Sequence, residues 1–125
     1  MNIDLAPTIA ELARATTPPF VDGRSLVPLL TDNPLALSAW RQAFLIEYWQ
    51  PDSSEVYQAL RTQHEKYVSY PNGEKEFYDL RQDPFELDNR YTQLNEPTKS
   101  YYESWLNALK HCYASACREL DRAAP

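Results

Sequence analysis

The sequence predicts an α+β fold: a four-stranded antiparallel sheet with a packed C-terminal helix, preceded by an N-terminal helix and a loop. Three observations carry this reading. Residues 43–49, Ala-Phe-Leu-Ile-Glu-Tyr-Trp, form a dense apolar and aromatic run of strand length. Two further strand-like runs, 56–61 and 66–70, lead through the turn residues Pro71-Asn72-Gly73-Glu74 into a fourth, 76–80, so consecutive strands pair as hairpins. Within 98–112, Tyr102, Trp105, Leu106 and Leu109 recur at helical spacing and make one apolar face. Strands grouped ahead of a helix give a helix on a small sheet, not alternating βαβ units.

The elements follow in order. Asp4 is positioned to cap a first helix, and Pro7 is tolerated in its opening turn, where backbone N–H groups lack intrahelical partners. Leu5, Ile9, Leu12 and Ala13 share one face of that helix. Thr16-Thr17-Pro18-Pro19 reads as a loop and Asp22-Gly23 as a turn, with Ser25 capping a short turn through Leu30. Asp32-Asn33-Pro34 marks a boundary, which places a subdomain edge between Thr31 and Ser38. The run 43–49 suits a central strand buried on both faces. Residues 51–55 read as a polar loop, and Asp83-Pro84 stops the fourth strand because proline removes a backbone donor.

Composition narrows the function classes. With 43% hydrophobic and 24% charged residues the chain is globular in character. Ten prolines against two glycines imply stiff connections, and nine tyrosines imply rings that keep one edge wet. A net charge of −6 with scattered basic residues argues against nucleic acid or anionic membranes as partners. No run approaches the ~20 apolar residues of a membrane span, and the first residues lack a signal-peptide pattern.

Residues 73–89, Gly-Glu-Lys-Glu-Phe-Tyr-Asp-Leu-Arg-Gln-Asp-Pro-Phe-Glu-Leu-Asp-Asn, resemble the "LYDL..DP.E..N" signature near the end of type I, formylglycine-dependent sulfatases. Ala59-Leu60-Arg61-Thr62 and Lys66-Tyr67-Val68 precede it in family order. Independently, Asn2-Ile3-Asp4-Leu5-Ala6-Pro7-Thr8 is similar to the helix that follows the family's last catalytic elements, and Val21-Asp22-Gly23-Arg24-Ser25-Leu26 to the turn after it. The resemblance is closest to the arylsulfatase and N-acetylglucosamine-6-sulfatase-like group. It implies that residues 1–34 are the tail end of a catalytic α/β domain and 35–125 a C-terminal subdomain. It also implies that the formylglycine-forming Cys-x-Pro-x-Arg segment, the calcium ligands and the catalytic His and Lys residues lie upstream and outside this chain. This chain is then expected to be inactive alone, to carry no cofactor, and to have the missing catalytic domain as its partner. For the full-length family the compartment is secreted, periplasmic or lysosome-like. Arg14 stands where the family places glycine, which disfavours the usual left-handed helix ending.

Several residues are candidates for a site. Arg61 and His64 lie in a hairpin that, in the resembling family, approaches the rim of the active-site pocket, where they would meet an anionic, sulfated sugar; a solvated hairpin is the plainer reading. Glu47, with Tyr48 and Trp49, offers a carbohydrate platform, against the commoner role of such tryptophans in a core. Asp79, Asp83, Glu86 and Asp88 cluster but lack the alternating ligand spacing and glycine of a calcium loop, so turns and caps explain them better. His111, Cys112 and Cys117 fall short of the four ligands of structural zinc, since His64 is in another element. Residues five apart in a continuous helix are separated by about 7.5 Å along the axis, beyond the ~4.4–6.8 Å between disulfide Cα atoms. A Cys112–Cys117 bond therefore needs the helix to end near Cys112. The pair resembles the Cys-x4-Cys-Arg of glucosamine-6-sulfatase-like members, which implies a disulfide in an oxidising compartment; two free thiols are the alternative. The preferred reading is a sulfatase C-terminal fragment giving structural support and part of a substrate-pocket wall. The alternative is a free-standing carbohydrate-binding or protein-interaction module derived from one.

Overall fold

The computed structural model describes residues 1–36, 39–51 and 56–122. The expected polar loop at 52–55 and part of the expected subdomain edge, at 37 and 38, lie outside the described residues. The chain divides into two compact units, Ala43–Lys110 and Met1–Gln42 together with the described residues 111–122.

The first of these units is the expected α+β body. Strands β1 (Ala43–Tyr48), β2 (Tyr57–Thr62), β3 (Glu65–Ser69) and β4 (Lys75–Asp79) form an antiparallel meander in the order β1-β2-β3-β4. Helix α2 spans Glu96–His111. The β3–β4 connection shows why the turn sequence matters. Gly73 N–H donates to Tyr70 O at 3.1 Å and Tyr70 N–H to Glu74 O at 3.0 Å, with Gly73 at φ 91°. Pro71 fits the first central position of that turn, and glycine accepts the left-handed backbone that follows it. The Asn72 carboxamide oxygen accepts from Glu74 N–H at 2.9 Å.

Strand alternation sorts the core into two sheets of side chains. Leu60, Tyr67 and Phe77 stand opposite one another on consecutive strands, and Tyr102 of α2 packs on this row, 5.9 Å from the Tyr67 ring and 5.1 Å from that of Phe77. Tyr102, Trp105, Leu106 and Leu109 are all buried, each such side chain contributing roughly 1.5–3 kcal/mol. Tyr102 keeps its polar tip satisfied by donating to Glu65 Oε2 at 2.6 Å. Burial, then this bond to Glu65, raises the phenol well above its ordinary range. On the other face, Ala59, Val68 and Tyr78 pack with Ile46, Tyr57, Tyr70 and Leu80. Burial, followed by the Glu76 charge, pushes the Tyr78 phenol up to about 12.

One expectation is corrected here. Residues 43–49 are not a central strand buried on both faces, because β1 is the edge of the meander and its last two residues, Glu47 and Tyr48, are exposed. Its aromatics pack sideways instead: Tyr48 stacks on Tyr57 at 5.5 Å, and Tyr57 meets Tyr70 at 5.9 Å. A first strand of a meander has only one neighbour, and no apolar run overrides that topology.

The unit containing residues 1–42 is built on α1 (Leu5–Leu12) and α3 (Ser115–Leu120), with single 3-10 turns at Asn2–Asp4 and Val27–Leu29. Asp4 does not cap α1 through its side chain. The carboxylate is fully buried and accepts from Arg41 Nη1 at 2.7 Å, Arg41 Nη2 at 2.9 Å and Arg24 N–H at 3.0 Å. The apolar stripe of α1 is not its buried face. Pro7 and Thr8 are buried, with Thr8 Oγ1 donating to Asp4 O at 2.5 Å and accepting from Leu26 N–H at 2.9 Å. Leu5, Ile9 and Leu12 are 56%, 65% and 68% exposed. Ser25 Oγ accepts from Val27 N–H at 3.2 Å, but the N-cap position of that turn is held by Leu26, which makes no side-chain cap bond. Gly23 is required for close approach, since a Cβ there would lie 2.0 Å from Ile3 O.

Arg14 also departs from expectation, because it does adopt the left-handed ending at φ 56°. Ala15 N–H bonds to Ala10 O at 2.8 Å and Arg14 N–H to Glu11 O at 3.0 Å, the paired bonds of a Schellman ending. The helix's orphan carbonyls outweigh the steric cost of an L-residue, which is about 1–2 kcal/mol. Arg14→Gly is therefore expected to raise stability by up to about 1 kcal/mol after glycine's entropy is subtracted. Urea unfolding checks this. Arg14→Ala should show no comparable gain, and an equal gain would assign the effect to the side chain.

Candidate functional site

Glu47 and Trp49 sit at one end of the β1–β2 pair. Glu47 is opposite Gln58, and its Oε1 accepts from Gln58 Nε2 at 2.9 Å. Trp49 follows the strand and is 73% exposed, so it is not a core residue. Its exposure leaves a ring in solvent just past the end of β1.

His64 occupies the opposite end, in the two-residue turn between β2 and β3. Thr62 Oγ1 organises that turn by accepting from His64 N–H at 3.2 Å and Glu65 N–H at 2.9 Å. The His64 carbonyl accepts from Leu80 N–H at 2.7 Å while the residue remains exposed. Thr62 lies four residues along the strand from Gln58, a span of about 13 Å at the usual rise. Glu47 and Trp49 therefore do not converge with His64 on one pocket.

Arg61 stands on the face that carries Ala59. It donates to Glu86 Oε1 at 3.0 Å, and Lys66, its partner across the register, donates to Glu86 Oε2 at 2.5 Å. Glu86 reaches both cations from a left-handed backbone at φ 58°. Arg61 is thus committed to an internal pair.

That pairing also explains the signature residues. Asp79 accepts from Arg81 N–H at 3.1 Å, and Asp83 Oδ2 accepts from Asp88 N–H at 2.8 Å. The Arg81 side chain and backbone hold the Asp79 carboxyl below its ordinary value, and the backbone N–H groups of Asp88 and Leu87 do the same for Asp83. Asn89 closes the β4 edge: its Oδ1 accepts from Phe77 N–H at 3.1 Å and its Nδ2 donates to Lys75 O at 3.2 Å. The acidic residues are turn acceptors and ion-pair partners. Among the described residues, no group of three or more His, Cys, Asp and Glu side chains could hold a metal ion.

Cys112 and Cys117 are joined by a disulfide, with Cα atoms 5.0 Å apart. Helix α2 ends at His111, Ala114 turns the chain at φ 55°, and α3 starts at Ser115.

Two features were not visible in the sequence. One is the buried cluster of Asp4, Arg24, Arg41 and Asp121, whose members share no local spacing. Arg41 Nε donates to Asp121 Oδ2 at 2.5 Å, and Arg24 Nη2 donates to Asp121 Oδ1 and to the Arg118 carbonyl. The other is a cleft of about 310 Å³ between α2 and the β3–β4 hairpin, with Lys75 and Lys110 on its walls. Strand parity places Tyr67, Ser69 and Lys75 on one face, but only the helix crossing makes a cleft of them.

Comparison with known proteins agrees with the geometry. The family described as N-sulphoglucosamine sulphohydrolase, C-terminal, matches residues 1–111. An N-acetylglucosamine-6-O-sulfatase of Bacteroides thetaiotaomicron is 33% identical over 94 residues, covering 71% of this chain and 17% of that protein. An arylsulfatase of Chlamydomonas reinhardtii is 30% identical over 143 aligned residues, covering 94% of this chain and 22% of its own length. The chain thus spans about a fifth of the length of these relatives. A solved structure of a protein in complex with its substrate D-glucosamine-2-N,6-O-disulfate superposes with a TM-score of 0.77 at 26% identity, over 98% of this chain and 25% of that one. The four-stranded meander with its C-terminal helices, the signature turn and the matched residues lead to one conclusion: this chain belongs to the sulfatases and is a sulfatase C-terminal domain fragment.

Proposed function

We propose that this region serves a sulfuric ester hydrolase by supporting its catalytic part and walling one side of the substrate pocket. Residues 1–34 then belong to the catalytic domain and 35–125 to the C-terminal subdomain. The observation that carries the reading is the superposition over 98% of the chain on a protein solved with a sulfated glucosamine. The exposed Leu5, Ile9 and Leu12 face of α1 supports it, since a contiguous apolar surface is usually covered by a partner. Sulfatases are in general dependent on calcium and formylglycine, which supply the cation at the sulfate and the aldehyde hydrate. The residues of this chain do not fit either group. Cys112 and Cys117 are paired with each other, neither begins a Cys-x-Pro-x-Arg segment, and Asp79, Asp83, Glu86 and Asp88 are engaged in turns and pairs. The pocket-wall role falls to the β2–β3 turn, where His64 is exposed, and a sulfated sugar is the ligand it would meet. The paired cysteines support an extracytoplasmic compartment.

The purified chain supplied with calcium is expected to release no sulfate from an aryl sulfate or a sulfated sugar. Joined to the catalytic portion of a matching sulfatase, it should restore turnover, and His64→Ala in that assembly should raise KM more than it lowers kcat. Turnover by the chain alone, abolished by changing one of its own residues, would sink the proposal. A second reading, a free-standing carbohydrate-binding module, is favoured by the exposed ring of Trp49 at the end of β1. Sugar binding by the chain alone, lost in Trp49→Ala, would select it.

A further inference from the structure

The cleft between α2 and the β3–β4 hairpin is lined by Tyr67, Ser69 and Lys75 from the sheet and by Glu103, Asn107 and Lys110 from the helix. Two facts set it apart from an ordinary surface groove. The Tyr67 residue is only 1% exposed, and its hydroxyl has no hydrogen-bond partner among the described residues. A buried polar atom left this way calls for an explanation, because its desolvation is uncompensated. Burial, then the Glu103 charge, raises the Tyr67 phenol above its ordinary range, so it stays a donor. Secondly, Lys75 Nζ has only weak satisfaction for a cation. It lies 2.8 Å from the neutral Ser69 Oγ and 3.4 Å from Glu103 Oε1, a carboxylate whose side chain is 63% exposed. Such a pair contributes little in high dielectric. Lys75 also sits 6.0 Å from the Tyr67 ring centre, which ties it to the same wall.

The lining therefore has two ammonium groups, one carboxylate and a phenol O–H that lacks an acceptor. A neutral sugar brings donors and acceptors in like number and leaves the positive excess in place. An oxyanion brings acceptors alone and offsets that charge. We propose that this cleft binds a tetrahedral oxyanion, sulfate or phosphate, free or as an ester on a small polar molecule. The Lys75 and Lys110 ammoniums hold it, and its oxygens supply the acceptor that Tyr67 lacks. The proposal stands on the donors of the cleft and does not depend on the pocket-wall reading.

The test uses the full chain and isothermal titration with sodium sulfate, sodium phosphate and glucose 6-sulfate, at ionic strength held constant with chloride. Saturable binding is expected for at least one of these. The exposed Lys110→Ala and the buried Tyr67→Phe should each weaken it by about tenfold. A tighter glucose 6-sulfate identifies an ester as the ligand; equal or weaker binding than sulfate or phosphate identifies the free ion, and both support the site. Tyr67→Phe carries a second readout: without anion it should unfold at the same or higher urea concentration than wild type. No response beyond that to chloride, or variants that bind like wild type, would overturn the proposal. A Tyr67→Phe protein markedly less stable without anion would overturn it too, by showing that the hydroxyl already has a partner.

Discussion

Arg41→Met is expected to destabilise the chain by about 3–5 kcal/mol, the cost of leaving buried charges without their partner. The Arg41 side chain is 6% exposed and bridges two carboxylates, Asp4 at 0% and Asp121 at 8%. Removing the guanidinium strips Asp4 of a bidentate pair and Asp121 of one of its two cations, while the methionine chain keeps most of the volume. Chemical unfolding measures the loss. Adding Asp4→Asn to Arg41→Met should recover part of it, because the double variant no longer buries that bare charge. Strict additivity of the two changes would show that the pair is not coupled.

The same cluster gives a pH dependence. Burial alone would raise the Asp4 carboxyl, but the Arg41 side chain, the Arg24 backbone N–H and the Met1 amino group outweigh it and lower the pKa from 3.8 to about 2. A carboxyl depressed in the folded state stabilises above its unfolded value, and that contribution disappears as pH falls through the folded one. Asp121 acts in the opposite direction, since burial holds it above 3.8 against the pull of Arg41 and Arg24. Its gain on acidification is complete by about pH 4, which leaves the window from about pH 4 to 2 to Asp4. Wild type should lose stability more steeply in that window than Arg41→Met. Parallel curves would remove Asp4 as the cause.

The second large effect concerns the Cys112–Cys117 bond. Replacing both cysteines by serine is expected to cost about 2 kcal/mol, the loop-closure value for so short a loop, and to loosen α3 first. The staple holds the start of a six-residue helix that is too short to persist alone. Asp121, whose N–H bonds to Cys117 O at 3.0 Å, carries the contacts to Arg24 and Arg41. Hydrogen exchange should therefore rise in α3 and around Arg24 and Arg41 while the β2–β3 amides keep their protection. Uniform loss of protection across the sheet would mean that the bond supports the whole fold. Unchanged exchange throughout would mean that α3 holds without it.

Local pattern was sufficient for the elements. The strands at 57–62, 65–69 and 75–79 and the helix at 96–111 follow from alternation, turn chemistry and a helical apolar stripe, all within a few residues of one another. The disulfide was implied by the resemblance of the Cys-x4-Cys-Arg segment; spacing added only that such a bond needs the helix to end near Cys112, as it does at His111. The signature around Asp83, Glu86 and Asn89 marked the family before its geometry was known, although not that Asn89 closes a strand edge or that Glu86 holds Arg61 and Lys66.

What tertiary structure alone decided depends on partners distant in the chain. Asp4 looks like a helix cap in sequence because capping is a local interaction. It becomes the centre of an ion cluster because Arg41 and Arg24 come to it from 37 and 20 residues away, at 2.7–3.0 Å. The apolar run 43–49 reads as core by composition, and only strand order makes it an edge with Trp49 in solvent. Arg14 takes a backbone that its own sterics oppose because the helix end has carbonyls to satisfy. The cleft of Tyr67, Lys75 and Lys110 exists only where a helix crosses a hairpin. Sequence carries interactions that close within a turn or two; charge pairing, edge exposure and clefts are set by which segments the fold brings together.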